Sequence, residues 1–244
     1  MEILWNIGIY RNGACGMKVS VVVPNHGRDL TKLRESVGNS AELVVVDCGL
    51  ERSAQRNIGI RQATGDIILW LDSDQAVSAG LIKECEELVK MGFSAIYIPE
   101  IIVGRSFFAR IRAFERGFLT GTAVDVPRAV IKRLCPYFDE MLNGPEDADF
   151  GQRIKGLKAI SKNPLYHYDD IGLLEYLRKK AYYSKSMKRY AEKWPNDRCL
   201  NIKYRCWDVF TENGKWKQLL KHPVLSFFMF GLLAVRGIVY AINK

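Results

Sequence analysis

Apolar and polar positions come in alternating blocks along the first hundred residues. Residues 19–23 are β-branched apart from Ser20 and stop at Pro24-Asn25-His26-Gly27, which predicts a buried strand and then a turn. Similar runs at 43–46, 67–71 and 95–98 predict three more strands, the first ending at Asp47-Cys48-Gly49 and the second at Asp72-Ser73-Asp74. Between them, residues 29–38, 53–63 and 78–91 suit helices. Ser53 is the expected cap of the second, and Glu84, Glu86 and Glu87 cluster on the third. Strands apolar on both faces, alternating with helices, predict an α/β fold whose sheet is mixed, mostly parallel and flanked by helices. Such sheets bind ligands beyond the carboxyl ends of their strands, where Asp47, Asp72 and Asp74 all fall.

Beyond residue 100 the pattern changes. Residues 105–119 are basic and aromatic together, which suits a helix packed on the sheet or one at a membrane surface. A short strand is expected at 124–126, and helices at 128–135 and 149–157. From 171, apolar residues from Leu173 through Tyr176 and Tyr183 to Trp194 recur at helical spacing among Lys and Arg. They predict one amphipathic basic helix ending near Pro195. Residues 223–242 carry Arg236 as their only charge. At about 1.5 Å per residue they just reach across a hydrocarbon core of about 30 Å. A membrane span, an in-plane segment and a core helix are the three readings, with Arg236, Gly231 and Gly237 counting against the span.

Length and composition suit a domain with an appendage: 244 residues, 48% apolar. Four parts are expected. Residues 1–16 form an N-terminal extension, and Met17 leads straight into the first strand. Residues 17–170 form a catalytic domain, 171–221 a basic helical region, and 222–244 an apolar, membrane-associating segment. The six cysteines include no C-x-x-C pair and no cleavable signal peptide is apparent, so a reducing, cytosolic setting is expected. The net charge of +9 is uneven: 19 Lys and Arg against 7 Asp and Glu from residue 151 onward, and 17 against 20 before it. A basic second part suits an anionic membrane, a phosphorylated ligand or nucleic acid.

Asp72-Ser73-Asp74 carries the chemistry. Along an extended strand alternate side chains share a side, so the two carboxylates are expected to point together. Two carboxylates that close repel unless a cation or proton sits between them. Mg²⁺ commonly takes one or two carboxylates plus substrate phosphates. The plain alternative is a helix cap.

Three patterns stand in order. They are Val-Ser-Val-Val-Val-Pro at 19–24, Arg-Asn-Ile-Gly-Ile-x-x-Ala-x-Gly-Asp at 56–66 running into Asp72-Ser73-Asp74, and Gly-Pro-Glu-Asp-Ala-Asp-Phe at 144–150 followed by Arg153. Together they resemble the family-2 inverting glycosyltransferases with the GT-A fold, over roughly residues 18–170. The resemblance implies a nucleotide-diphosphate sugar at the carboxyl edge of the sheet. It implies Mg²⁺ or Mn²⁺ on Asp72 and Asp74, and a catalytic base in Glu146-Asp147, placed on Asp147. Pro24, Asn25 and Arg28 match the first nucleotide-contacting loop, and Asp47 the residue that reads base or ribose. Cys48 stands where a second aspartate is usual, and the stretch from Asp47 to Arg56 is short, so base selectivity is open: uridine is favoured by family habit, guanosine is the other candidate. Arg56 is expected on the diphosphate or in a surface salt bridge. Some members bring a histidine to the metal, here His167; the plain alternative is a partly buried histidine with a backbone partner. Asp149 and Arg153, four apart, suit a helical ion pair.

These residues predict a metal-dependent hexosyltransferase at the cytoplasmic face of a membrane. Its acceptor would be a hydroxyl on a lipid-linked or polymer glycan, with no nucleic acid partner. Transfer to a polyprenyl phosphate ranks lower, because a phosphate needs no general base. A scaffold binding RNA or another polyanion, and a sugar nucleotidyltransferase, are the competing classes. The first lacks any nucleic-acid motif, and the second lacks a glycine-rich basic loop near residue 24.

Overall fold

A computed structural model describes residues 16–243, so the extension expected at 1–16 lies, but for Gly16, outside the described residues. In chain order the elements are β1 (Val19–Pro24), α1 (Thr31–Val37), β2 (Glu42–Val46), α2 (Arg52–Gln62), β3 (Ile67–Trp70), β4 (Gln75–Val77), α3 (Leu81–Lys90), β5 (Ala95–Tyr97), β6 (Glu100–Val103), α4 (Phe107–Arg116), β7 (Ala129–Ile131), α5 (Glu146–Arg153), β8 (Lys158–Ile160) and β9 (Leu165–Tyr168). Then follow α6 (Leu173–Ser184), α7 (Met187–Lys193), the single turn α8 (Val209–Thr211), α9 (Trp216–Lys221) and α10 (Pro223–Ile242).

Six strands form a mixed sheet in the order β2-β1-β3-β7-β5-β8. β1 is parallel to β2 and β3, β5 is parallel to β8, and β7 runs antiparallel between β3 and β5. Alternation along the strands divides the core into two layers. Val21, Val23, Leu69 and Leu71 face Leu33 of α1 and Leu81 and Cys85 of α3. Val22, Ile68 and Trp70 face Ile60 of α2, Phe150 of α5 and Ile154 just after it. Each buried Val, Leu or Ile contributes about 1.5–3 kcal/mol, which fixes the strand register. Gly59 lets α2 approach β1, since a Cβ there would lie 2.4 Å from Val22 Cγ1.

A second sheet, β4-β9-β6, hangs off the carboxyl edge. Its strands are short and pair only with distant partners, so local pattern does not reveal them. In place of the strand at 124–126 there is a loop, and in place of the helix at 128–135 there is β7 followed by a short turn at Lys132–Leu134. Ala129 and Val130 are fully buried between β3 and β5, and that pairing overrides local helix propensity. The helix expected at 149–157 starts and ends earlier, at Glu146–Arg153. Ser53 lies buried inside the first turn of α2 instead of capping it. The long basic helix is two, α6 and α7, because Ser186 leaves the helix and its hydroxyl accepts the Asn143 N–H at 3.1 Å.

Helix α4 packs on β6 and on α10, so its aromatic face meets the apolar helix. Ile111, Tyr176, Phe210, Met229 and Leu233 form the core between these helices. Arg236 is not a free charge on α10: its guanidinium pairs with Glu115 at 2.6 Å and donates to the Tyr176 hydroxyl at 2.7 Å. Helix α10 is long and apolar enough to cross a membrane by length and composition. One of its faces is docked on α4 and α6, while Phe227 and Ile238 on the other are 75% and 58% exposed.

Candidate active site

The site collects at the carboxyl ends of β1, β2 and β3. Trp70, at the end of β3, is anchored by its indole N–H on the Pro127 carbonyl at 3.1 Å. The guanidinium groups of Arg56 and Arg128 lie 4.6 and 4.2 Å from its ring centroid. These cation–π contacts hold two positive charges beside Asp72.

Asp72-Ser73-Asp74 does not continue β3. It forms a tight turn into β4, in which Gln75 N–H donates to the Asp72 carbonyl at 3.1 Å and Asp72 N–H to Gln75 Oε1 at 2.9 Å. The two carboxylates are therefore placed by the turn and not by strand alternation, and each meets its own cations. Asp72 takes Arg56 Nη2 on one oxygen at 2.5 Å and faces Arg128 Nη1 with the other at 3.7 Å. Burial opposes its charge, yet Arg56, Arg52 and Arg128 hold its pKa well below the usual carboxylate range. Asp74 takes Arg28 Nη1 at 2.7 Å. Its other oxygen is buried and lacks a well-aligned hydrogen bond, with His167 Nε2 3.3 Å away.

His167 reaches Asp74 because β9 pairs with β4, placing His167 opposite Gln75. Its partner on the far side is a carboxylate rather than a backbone group: Nδ1 lies 2.5 Å from Glu100 Oε1. Burial disfavours the imidazolium, but Asp74 and Glu100 on either side raise its pKa to about 10. Glu100 is held in turn by Arg116 at 3.2 Å and Arg128 at 3.3 Å.

Among the described residues no group of three or more His, Cys, Asp or Glu side chains is arranged to hold a metal ion. The donors present fit a two-ligand site. Asp74 offers a buried, unsatisfied oxygen beside His167 Nε2, and Glu100 on Nδ1 would leave Nε2 as the nitrogen that gives up its proton to a metal. Mg²⁺ commonly fills its other positions with water and substrate phosphate. Asp72, with both oxygens turned to arginines, fits less well.

At the start of α5, Glu146 and Asp147 divide. Glu146 is 2% exposed and accepts Arg52 Nη2 at 2.5 Å and the Gly144 N–H at 2.5 Å, with Arg56 Nη1 at 3.5 Å. Gly144 has φ +107°, and a Cβ there would lie 2.4 Å from Tyr183 Cβ on α6, so the turn before α5 requires glycine. Asp147 is half-buried, accepts among the described residues only the adjacent Ala148 N–H at 2.8 Å, and lines a cavity of about 410 Å³ with Asp72, His167 and Arg52. Burial, and then the Glu146 charge, raise its pKa. Asp149 pairs with Arg153 at 2.7 Å, as the four-residue spacing implies.

The loop after β1 is a separate structure. Asp47 accepts Asn25 Nδ2 at 3.1 Å and the Gly27 N–H at 3.0 Å. Gln55 Oε1 accepts the Asn25 N–H at 3.0 Å, while Pro24 sits opposite Val46 at the end of β1. Arg28 joins this loop to Asp74. Arg56 is 2% exposed inside the site, so it is not the expected surface salt bridge. Arg52, Gln55, Glu100 and Arg128 escaped the sequence reading. The spacing of Arg52 and Arg56, four apart on α2, was a usable signal; Glu100 and Arg128 arrive from separate elements and leave none.

Residues 41–116 match the family described as Glycosyl transferase family 2. Among solved structures, the mannosyltransferase PcManGT from Pyrobaculum calidifontis, in complex with GDP-Man and Mn²⁺, is similar at 15% identity and a TM-score of 0.56, over 95% of this chain and 89% of that one. S. aureus TarS is similar at 17% identity and a TM-score of 0.47, over 70% of this chain and 40% of the TarS chain. Its 1–349 portion in complex with UDP-GlcNAc gives 14% identity and a TM-score of 0.48, over 90% of this chain and 81% of that one. The present chain thus spans less than half the length of the TarS chain. The curated proteins give no match. The family match thus runs from β2 to α4, and the chain shares the overall fold of PcManGT, a mixed sheet flanked by helices of the GT-A type.

Proposed function

We propose that the protein transfers a sugar from a nucleotide-diphosphate sugar to an acceptor hydroxyl, with inversion, using Asp147 as base. The observation that carries this reading is the division of labour at α5. Glu146 is consumed by Arg52, Arg56 and the Gly144 N–H, while Asp147 keeps a carboxylate of raised pKa facing the cavity. In the reaction, Asp147 takes the proton from the acceptor hydroxyl as its oxygen bonds to the anomeric carbon. The bond from that carbon to the diphosphate oxygen breaks, and the electron pair leaves with the nucleoside diphosphate. One displacement inverts the centre and needs no second carboxylate.

On the donor side, Asp74 and His167 would hold Mn²⁺ or Mg²⁺, with Asp72 behind them. A bound divalent cation neutralises charge on the leaving diphosphate. Arg28, paired with Asp74 here, is placed to turn to phosphate once that carboxylate is engaged. Asn25 and Asp47 shape the loop that would take the nucleoside, uridine or guanosine. PcManGT, of the same fold, was solved with GDP-Man and Mn²⁺. The exposed apolar face of α10 and the basic second half suit work at a membrane surface, where each nearby Lys or Arg contributes about 1 kcal/mol on anionic lipid.

The test is Asp147→Asn. Turnover falls by at least 10²-fold with donor affinity unchanged, the effect expected of a lost general base. Retained turnover would refute the base assignment.

A further inference from the structure

The cavity beside Asp147 has a second wall, and it is basic. Lys180 of α6, Arg205 of the wide-turn helix at Tyr204–Asp208, and Tyr240 of α10 line it together with Arg52 and Asp147. Burial disfavours ionisation of Tyr240, which also feels the charges of Arg205, Arg236 and Asp147, so the two walls are neighbours.

The charges on this wall are not balanced. Arg236 is matched by Glu115 at 2.6 Å and Arg112 by Asp169 at 2.6 Å. Among the described residues Lys180 makes no salt bridge and no hydrogen bond; its Nζ lies 5.2 and 5.7 Å from the ring centroids of Tyr176 and Tyr183. Among the described residues the Arg205 guanidinium donates only to the Cys199 carbonyl, at 3.3 Å. Apart from Asp147, the cavity's acids are otherwise engaged: Asp125 by Arg116 at 2.8 Å, Asp72 by Arg56 at 2.5 Å, and Asp197 by the Tyr190 hydroxyl and Cys199. Burial, and then Arg236, push the Lys180 pKa down to about 8. Glu115, the acid that acts on Lys180, is already paired with Arg236; a partly desolvated ammonium so poorly compensated is costly, and an anion entering the cavity would lower that cost.

We propose that Lys180 and Arg205 form an acceptor-side anion subsite, which holds a phosphate-class group of the acceptor while its hydroxyl faces Asp147. The proposal rests on the transferase reading above for the role of Asp147. Two cations on separate elements suit a multiply charged oxyanion better than a single carboxylate. Such a group can be borne by a lipid, whose chain would leave along the exposed apolar face of α10 beside Tyr240, or by a soluble phosphorylated glycan.

The experiment is calorimetric titration of the full chain with the donor side filled by saturating nucleoside diphosphate and Mg²⁺. The probes are dodecyl phosphate below its micellar concentration, inorganic phosphate, and uncharged dodecyl maltoside. Dodecyl phosphate binds and dodecyl maltoside does not. Lys180→Met weakens binding at least tenfold, Arg205→Gln weakens it less, and Lys180→Arg restores most of it. Inorganic phosphate binding as tightly, with the same dependence on Lys180, assigns a soluble acceptor; much tighter binding of dodecyl phosphate assigns a lipid-borne one. The subsite is overturned if dodecyl phosphate fails to bind, or if folded Lys180→Met and Arg205→Gln bind it like wild type. Failure of the transferase reading shows separately, as no Mg²⁺-dependent nucleotide binding by wild type.

Discussion

Arg56 and Glu146 meet in the interior of the site, Nη1 to Oε1 at 3.5 Å, with both side chains only 2% exposed. Through this contact the helix that follows β2 is tied to the helix that presents Asp147. Arg56 also takes Asp72 at 2.5 Å, so one guanidinium links the donor-side turn to the base-bearing helix. It is framed by the rings of Trp70 and Phe138 at 4.6 and 4.9 Å.

Removing that guanidinium leaves one buried carboxylate, Glu146, and one half-buried carboxylate, Asp72, short of a partner. Arg56→Met therefore destabilises the fold by roughly 3–5 kcal/mol, the usual cost of breaking a buried pair. Denaturant unfolding monitored by Trp fluorescence measures it. A loss under about 1 kcal/mol would show that Arg52 and Arg128 compensate, and that Arg56 is not the link.

Activity should fall in acid earlier than for an ordinary aspartate. A general base works only when ionised, and burial together with Glu146 raises the Asp147 pKa above its ordinary 3.8. The acid limb of kcat/KM therefore lies above that value, and activity is lost as pH falls through the raised pKa. In Glu146→Gln the like charge is gone, so the limb moves down. A limb that stays in place, or moves up, contradicts the proposed pairing of roles.

The exposed face of α10 should act at lipid without supporting the fold. The double variant Phe227→Asp, Ile238→Asp loses at least tenfold in sedimentation with phosphatidylglycerol vesicles. Each apolar side chain withdrawn from water is worth about 1.5–3 kcal/mol. Its melting temperature stays near wild type, because both side chains are exposed in the structure. Unchanged vesicle binding would remove the membrane reading of this helix.

The parts of the fold legible in the sequence were those with local signals. β1, β2 and β3 are continuous apolar runs closed by turn residues, and the alternation within them assigns both core layers. β4, β6 and β9 are short and exist only through pairing with one another, so nothing local announces them. The same limit governs the site. Asp72, Asp74, Glu146 and Asp147 stand in motifs; the structure sets Asp72 and Asp147 on one cavity, joins Asp72 to Glu146 through Arg56, and turns Asp74 to Arg28 and His167. What the motifs could not convey is which acid is neutralised by which base. That depends on Arg52 of α2, Arg128 in the loop just before β7, and Glu100 of β6. Likewise Arg236 looked like an obstacle within an apolar helix, until Glu115 on α4 supplied its partner.

The proposed metal-assisted nucleotide-sugar site is built on Asp74. Thermal unfolding of wild type and Asp74→Ala, with uridine and guanosine diphosphates and their sugars, each with Mn²⁺ and with chelator, tests it most directly. A ligand at about 100 times its dissociation constant adds roughly 2.7 kcal/mol of stability. A shift of that order is expected with one nucleotide class, present with Mn²⁺, lost with chelator and absent in Asp74→Ala. No shift with any nucleotide from folded wild-type protein, or an equal shift in Asp74→Ala, would contradict it.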